Sequence, residues 1–350
     1  MKVRLPVRQA ILARQTYEAP AEGRVGKIRL DFNENTSGCS AAARRAIARL
    51  SAKEIATYPE YERATRELAR SFRVAPEELL LTNGGDDALR VFFDTFVEPK
   101  SRILICEPTF PMYRYWAEIA GARVETLRYR PSMQFPLGDA LAALKKRPRV
   151  FFLANPNNPT GTLVPKDDLT KLIRAATHTV VVMDEAYAEF SRVTVVPWIR
   201  RYAHLFVGRT FSKAAGLAGM RLGAVIGCRD SLAMVRRAMP PYPVNLGALA
   251  AAVAAAKERK TIAHYVADTQ RRRVWFTREL KTRGVRVFPS AANFVLADFG
   301  NAGPRLFRRL AQHDILIRER SKDLGPGYAR ITIGTQAEMD TFLRVLREKD

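Results

Sequence analysis

The 350-residue chain is long enough to bury a large core, and its 47% hydrophobic and 27% charged residues fit a soluble globular protein. Its 58 Lys and Arg against 35 Asp and Glu leave a formal charge of +23, which invites a nucleic-acid or anionic-membrane reading. The arginines are spread along helical patterns and no C2H2, RRM or basic-zipper signature accompanies them, which argues against nucleic-acid binding as the main function; a solvated basic surface with no partner is an equal reading of the charge, and such a surface would favour small anionic ligands.

The start, MKVRLPVRQAILARQ, lacks an apolar signal core, and no run approaches membrane-spanning length. Cys39, Cys106 and Cys228 show no CxxC spacing, which argues against disulfides and zinc and fits a reducing compartment. The four histidines are isolated, so no metal site is expected. The expected location is the cytoplasm.

In chain order, IRLDF (28–32) reads as a short strand. TNGGDDAL (82–89) follows the apolar LLL and opens a helical run through Phe96. The runs ILIC (103–106), VFFLAN (150–155), TVVVMDE (179–185), HLFVG (204–208) and GAVIGC (223–228) are continuously apolar, as in strands buried on both faces of a largely parallel sheet. Helices are predicted over about 111–120, 137–146, 165–176 and 229–238. NLGALAAAVAAAKERK then opens a long Ala-rich helix, and short strands follow at NFVLADF (293–299) and ARITIG (329–334). This rhythm predicts an α/β fold: a mostly parallel central sheet with helices on both faces, over residues 45–241. A smaller α+β domain is expected from 1–44 and 242–350.

Ligands of open α/β sheets collect at the carboxyl ends of the strands, where four polar motifs fall. In TNGGDDAL, Gly84 and Gly85 let backbone approach a ligand and the helix start offers N–H groups to a phosphate. A capped helix start without a ligand is an equal reading of that motif alone. ANPNNPTG (154–161) enforces a rigid turn that carries Asn158. MDEAYAEF (183–190) ends a strand on Asp184, with Tyr187 three residues on. A carboxylate there is costly to bury alone, and an ionised one would keep a neighbouring heteroaromatic nitrogen protonated. The plainer alternative is a helix cap beside a packing tyrosine. TFSKAAGLAGMRLG (210–223) offers Thr210 and Ser212 hydroxyls, the Lys213 amine and the Arg221 fork, suited to phosphate. A partly desolvated amine can form a Schiff base with an aldehyde.

These motifs, with DFNEN (31–35), ATYPE (56–60), PTFPMY (108–113), ANFVLADF (292–299) and GYARITIGT (327–335), occur in the order of one family. The chain resembles the histidinol-phosphate aminotransferases, pyridoxal-phosphate enzymes of the aspartate aminotransferase fold, over nearly its whole length. The resemblance implies that Lys213 attaches the cofactor, that Asp184 pairs with its ring nitrogen, and that Tyr187 and Asn158 bond its phenolic oxygen. Tyr113 would stack on the ring. Gly85 and Asp86, with Thr210, Ser212 and Arg221, would hold the phosphate, reached also by Tyr58 of a neighbouring subunit in a homodimer.

On the substrate side, the resemblance implies that Arg330 takes the amino donor's carboxylate and, as in the histidinol-phosphate enzymes, also meets the substrate phosphate, that Arg318 takes a second anion, and that Tyr17, Asn33 and Asn293 line the pocket. The expected substrates are glutamate and 2-oxoglutarate with a phosphorylated or aromatic oxo acceptor, imidazole-acetol phosphate first. DFNENTSGCS departs from the family, having Thr36 and Cys39 where proline is common. That bears on the substrate rather than the cofactor, and aromatic aminotransferases and phosphothreonine decarboxylases share nearly the same motifs. A catalytically dead nucleic-acid-binding regulator is the remaining alternative. It is disfavoured because the cofactor residues are intact and no helix-turn-helix domain fits ahead of them.

Overall fold

A computed structural model describes residues 5–12, 14 and 22–348. Among these, the strands form two sheets. They are β1 (Ile28–Leu30), β2 (Leu79–Thr82), β3 (Arg102–Glu107), β4 (Arg123–Arg128), β5 (Val150–Ala154), β6 (Val180–Asp184), β7 (Leu205–Thr210), β8 (Gly223–Gly227), β9 (Arg286–Val287), β10 (Phe294–Asp298), β11 (Ile315–Glu319) and β12 (Tyr328–Thr332).

The larger sheet has the order β2-β8-β7-β6-β5-β3-β4. Its members from β7 to β4 pair in parallel, whereas β8 runs antiparallel to both β2 and β7. GAVIGC is as continuously apolar as its parallel neighbours because both its faces are covered; burial, not strand direction, makes the pattern. Alternate residues of each strand serve opposite faces. Phe151, Val181, Met183, Leu205 and Val207 enter one core, with the helices Glu62–Phe72, Lys166–Ala175 and Leu246–Lys257. Phe152, Val182 and Phe206 enter the other, with Gly84–Phe96 and Met112–Ile119. Each fully buried side chain of this size contributes roughly 1.5–3 kcal/mol.

This architecture positions the site. Ala154, Asp184 and Gly208 pair in parallel register, so β5, β6 and β7 release their chains at one level. The segments that follow carry Asn158, Tyr187 and Lys213.

The smaller sheet has the order β1-β11-β12-β10-β9, with β1 and β11 parallel and the other pairs antiparallel. Its core joins Leu30, Phe276, Val295, Ile331 and Phe342. The predicted long Ala-rich helix is two helices, Leu246–Lys257 and Arg259–Lys281, meeting at Glu258 with φ −87° and ψ 41°. No Gly or Pro marks that break; tertiary packing overrides propensity there. The first helix, with Ala43, packs in the larger sheet's core. On that packing we propose to divide the two units near residues 40 and 258 rather than at 44 and 241.

Candidate active site

Lys213 lies in the segment that leaves β7. Gly216, at φ +69°, brings that segment so close to the chain ahead of the helix Ala41–Ala48 that a Cβ there would sit 2.6 Å from the Gly38 carbonyl oxygen. The Lys213 Nζ donates to the Phe32 carbonyl at 2.8 Å. Burial, reinforced by the Arg330 charge, lowers the amine to about 8, against the pull of Glu34 and Asp86. The amine therefore gives up its proton more readily than an ordinary surface lysine.

Asp184 ends β6. Burial raises its carboxyl above the ordinary range, while the Tyr113 hydroxyl donates to it at 2.6 Å and the Ala186 N–H at 3.0 Å. The Asn33 amide donates to the Tyr187 hydroxyl at 2.9 Å, leaving that hydroxyl's own proton free to be donated. Asn33 holds a left-handed φ of 56°, fixed by two hydrogen bonds with Thr332 on β12.

In the same cavity, Ser212 N–H donates to the Thr210 hydroxyl at 3.1 Å, and Arg221 pairs with Asp86 at 3.3 Å. A Cβ on Gly84 would lie 2.7 Å from an Arg221 nitrogen, whereas one on Gly85 would meet no atom within 4 Å. Glycine at 84 admits the guanidinium, and Gly85 faces open space at the start of a helix. That is a cradle for an anion.

The smaller sheet also contributes to the cavity. Arg318 on β11 and Arg330 on β12 stand directly across from each other. Arg330 donates to the Asn158 side-chain oxygen at 2.5 Å and to the Asp31 carbonyl. Burial above all, then the positive charges of Arg320 and Arg318, lower Arg330 to about 10 against the pull of Tyr187 and Asp31.

One cavity of about 470 Å³ gathers Asn33, Gly85, Asp86, Asn158, Asp184, Tyr187, Thr210, Ser212, Lys213, Arg221, Arg318 and Arg330. Other expected residues stand elsewhere. Tyr113 is fully buried, its ring stacked on Phe152 at 5.5 Å, behind the wall; the aromatic ring that reaches the cavity from the same motif is Phe110. Asn293 is also fully buried, donating to the Asn33 carbonyl at 3.0 Å. Tyr58 is 78% exposed and stacks on Tyr242 at 4.5 Å, away from the cavity. Tyr17 lies outside the described residues.

Phe110, Glu34 and Arg320 line the cavity without having been expected there. PTFPMY offers two aromatic residues and nothing in its pattern chooses between them. Arg320 follows Arg318 at a spacing of two, a signal readable once ILIRE is seen as a strand. Among the described residues, no group of three or more His, Cys, Asp or Glu could hold a metal ion, and no helix is long and apolar enough to cross a membrane.

Fold and site together define an aminotransferase: the chain belongs to the class I and II aminotransferase family, whose pattern matches residues 25–346. It is 34% identical over 328 residues to the histidinol-phosphate aminotransferase of Geobacillus sp. (strain WCH70), covering 92% of this chain and 89% of that one. To the Bacillus subtilis (strain 168) enzyme of the same name it is 33% identical, covering 92% and 91%. In fold it is similar to the histidinol-phosphate aminotransferase of Sinorhizobium meliloti, solved in complex with pyridoxal-5'-phosphate, with a TM-score of 0.90, 24% identity and 99% of each chain covered.

Proposed function

We propose that the chain is a cytoplasmic, pyridoxal-phosphate-dependent histidinol-phosphate aminotransferase, taking the amino group from glutamate and passing it to imidazole-acetol phosphate. The observation that carries this reading is the buried Lys213 amine sharing one cavity with Asp184, an anion cradle at Gly85 and Arg221, and a pair of facing arginines. The curated relatives support the acceptor.

The residues fit the cofactor. Bound pyridoxal phosphate supplies an aldehyde for Lys213 and a ring that accepts the electron pair left at the substrate α-carbon. Gly85, Asp86, Thr210, Ser212 and Arg221 would hold its phosphate. Asp184 supplies the anion for the ring nitrogen, and the Tyr113 hydroxyl holds that carboxylate in place. Tyr187 and Asn158 would hold the ring's phenolic oxygen. Each is set for donation: Asn33 fills the Tyr187 oxygen's acceptor side, and Arg330 occupies the Asn158 carbonyl, leaving the amide NH₂. Phe110, which lines the cavity where Tyr113 does not, would take the ring-facing place expected of Tyr113. The depressed Lys213 Nζ is poised to carry a proton from the substrate α-carbon, general base in one direction and acid in the other. Arg330 would bind the donor's α-carboxylate and Arg318 its second anion. The exposed Tyr58–Tyr242 pair supports a homodimer in which Tyr58 reaches the neighbouring cofactor phosphate.

The test is an acceptor panel. After a first half-reaction with glutamate, imidazole-acetol phosphate is expected to restore the cofactor's original spectrum. Phenylpyruvate succeeding alone would point to an aromatic aminotransferase, and carbon dioxide release from phosphothreonine to a decarboxylase. Salt-sensitive binding to arbitrary DNA without any turnover would favour the regulator.

A further inference from the structure

Three guanidinium groups, those of Arg318, Arg320 and Arg330, line the small-sheet side of the cavity. Gathering like charges there is costly, since facing cations on paired strands repel one another. Glutamate carries two carboxylates, which Arg330 and Arg318 already match one to one. The third cation exceeds what the donor requires.

Arg320 is firmly placed. Its N–H donates to the Tyr328 carbonyl at 2.8 Å, which carries the β11–β12 ladder past Glu319. Its side chain is 12% exposed and bonds the Asp323 carboxylate, one turn along in the short helix Ser321–Leu324. Yet its Nε is buried with no partner among the described residues. An unpaired buried N–H is expensive, so an acceptor brought to it by a bound ligand would be favourable. A phosphate monoester has a charge near −2 and three acceptor oxygens around one centre, which two guanidinium groups satisfy better than one.

We propose that Arg320 is a specificity-determining residue that joins Arg318 in binding the phosphate of a phosphorylated acceptor, and that Asp323 competes with this phosphate for the guanidinium. This rests on the reading of the cavity as an aminotransferase site with a phosphorylated acceptor. Asp323 holds the cation in check when a dicarboxylate occupies the cavity and yields it to the more highly charged phosphate.

Two variants act in opposite directions. Arg320→Gln is expected to raise KM for imidazole-acetol phosphate roughly 10- to 100-fold, the range of a charged hydrogen bond, with the glutamate half-reaction changed less than about 3-fold. Arg320→Lys, which keeps the charge without the fork, is expected to recover part of that loss. Asp323→Asn is expected to lower the same KM. Competitive inhibition of the glutamate half-reaction by inorganic phosphate gives a readout that does not depend on the acceptor: Arg320→Gln should weaken it about 10-fold. An unchanged phosphate inhibition constant in Arg320→Gln, or a raised acceptor KM in Asp323→Asn, overturns the proposal. Failure of the unaltered enzyme to use any phosphorylated acceptor overturns the substrate reading instead, and phosphate inhibition still decides whether Arg320 binds the anion.

Discussion

The two sides of the cavity are built differently. On the larger sheet, three parallel strands end in register, so Asp184 and the segments bearing Asn158 and Lys213 inherit their positions from a frame buried on both faces. Their polar groups are already engaged: Asp184 by Tyr113 and Ala186, Lys213 by Phe32, Asn158 by Arg330. The small-sheet side is a short antiparallel ladder carrying Arg318 and Arg330, with Arg320 beyond its end, and Arg320 and Arg330 each keep a buried Nε unpaired among the described residues. The rigid side is suited to one invariable cofactor. The cationic side, with donors to spare, is where the choice among anionic substrates is made.

That contrast can be broken or sharpened by substitution. Lys213→Ala, on the rigid side, is expected to lower kcat by roughly 10²- to 10⁴-fold while leaving noncovalent cofactor binding measurable by fluorescence. Asp184→Asn is expected to cost about 10²- to 10³-fold in kcat, measured in single-turnover absorbance, because a neutral amide no longer favours a protonated ring nitrogen. Across the cavity, Arg330→Gln should act chiefly on KM for glutamate, raising it roughly 10- to 100-fold.

The same Arg330 substitution should also move a pH limb. Only the neutral amine attacks an aldehyde, so attachment of pyridoxal phosphate to cofactor-free enzyme is expected to quicken as pH rises towards about 8 and level off above it. Removing the Arg330 charge takes away a neighbour that disfavours the ammonium form, so the amine's pKa rises and the limb shifts to higher pH. A limb that stays put would show that Arg330 does not act on Lys213. The smallest effect is expected of Tyr113→Phe, which removes one hydrogen bond from Asp184 and should lower kcat less than about 10-fold.

Most of the rigid side was legible in the sequence, and the cationic side less so, for physical reasons. The strands β3 and β5 to β8 announce themselves as apolar runs because both faces are buried, and the site motifs sit where those runs end. β4, an edge strand of sequence RVETLR, has no such run because much of it is only half-buried. β11, sequence ILIRE, mixes one buried residue with partly exposed ones, so Arg318 was recognisable from its motif but Arg320, two residues on, was not. Tyr113 and Phe110 stand three residues apart in one motif, and only the start of the helix Met112–Ile119 decides which turns to the cavity and which supports Asp184.

The account's central claim is that Lys213 is the residue to which pyridoxal phosphate attaches. Borohydride reduction of the cofactor-loaded enzyme, followed by digestion and peptide mass spectrometry, tests it most directly. The account predicts a single modified peptide, with the reduced cofactor on Lys213 and none of it retained in Lys213→Ala. Label on another lysine, or a loaded enzyme that carries no reducible attachment, would contradict it.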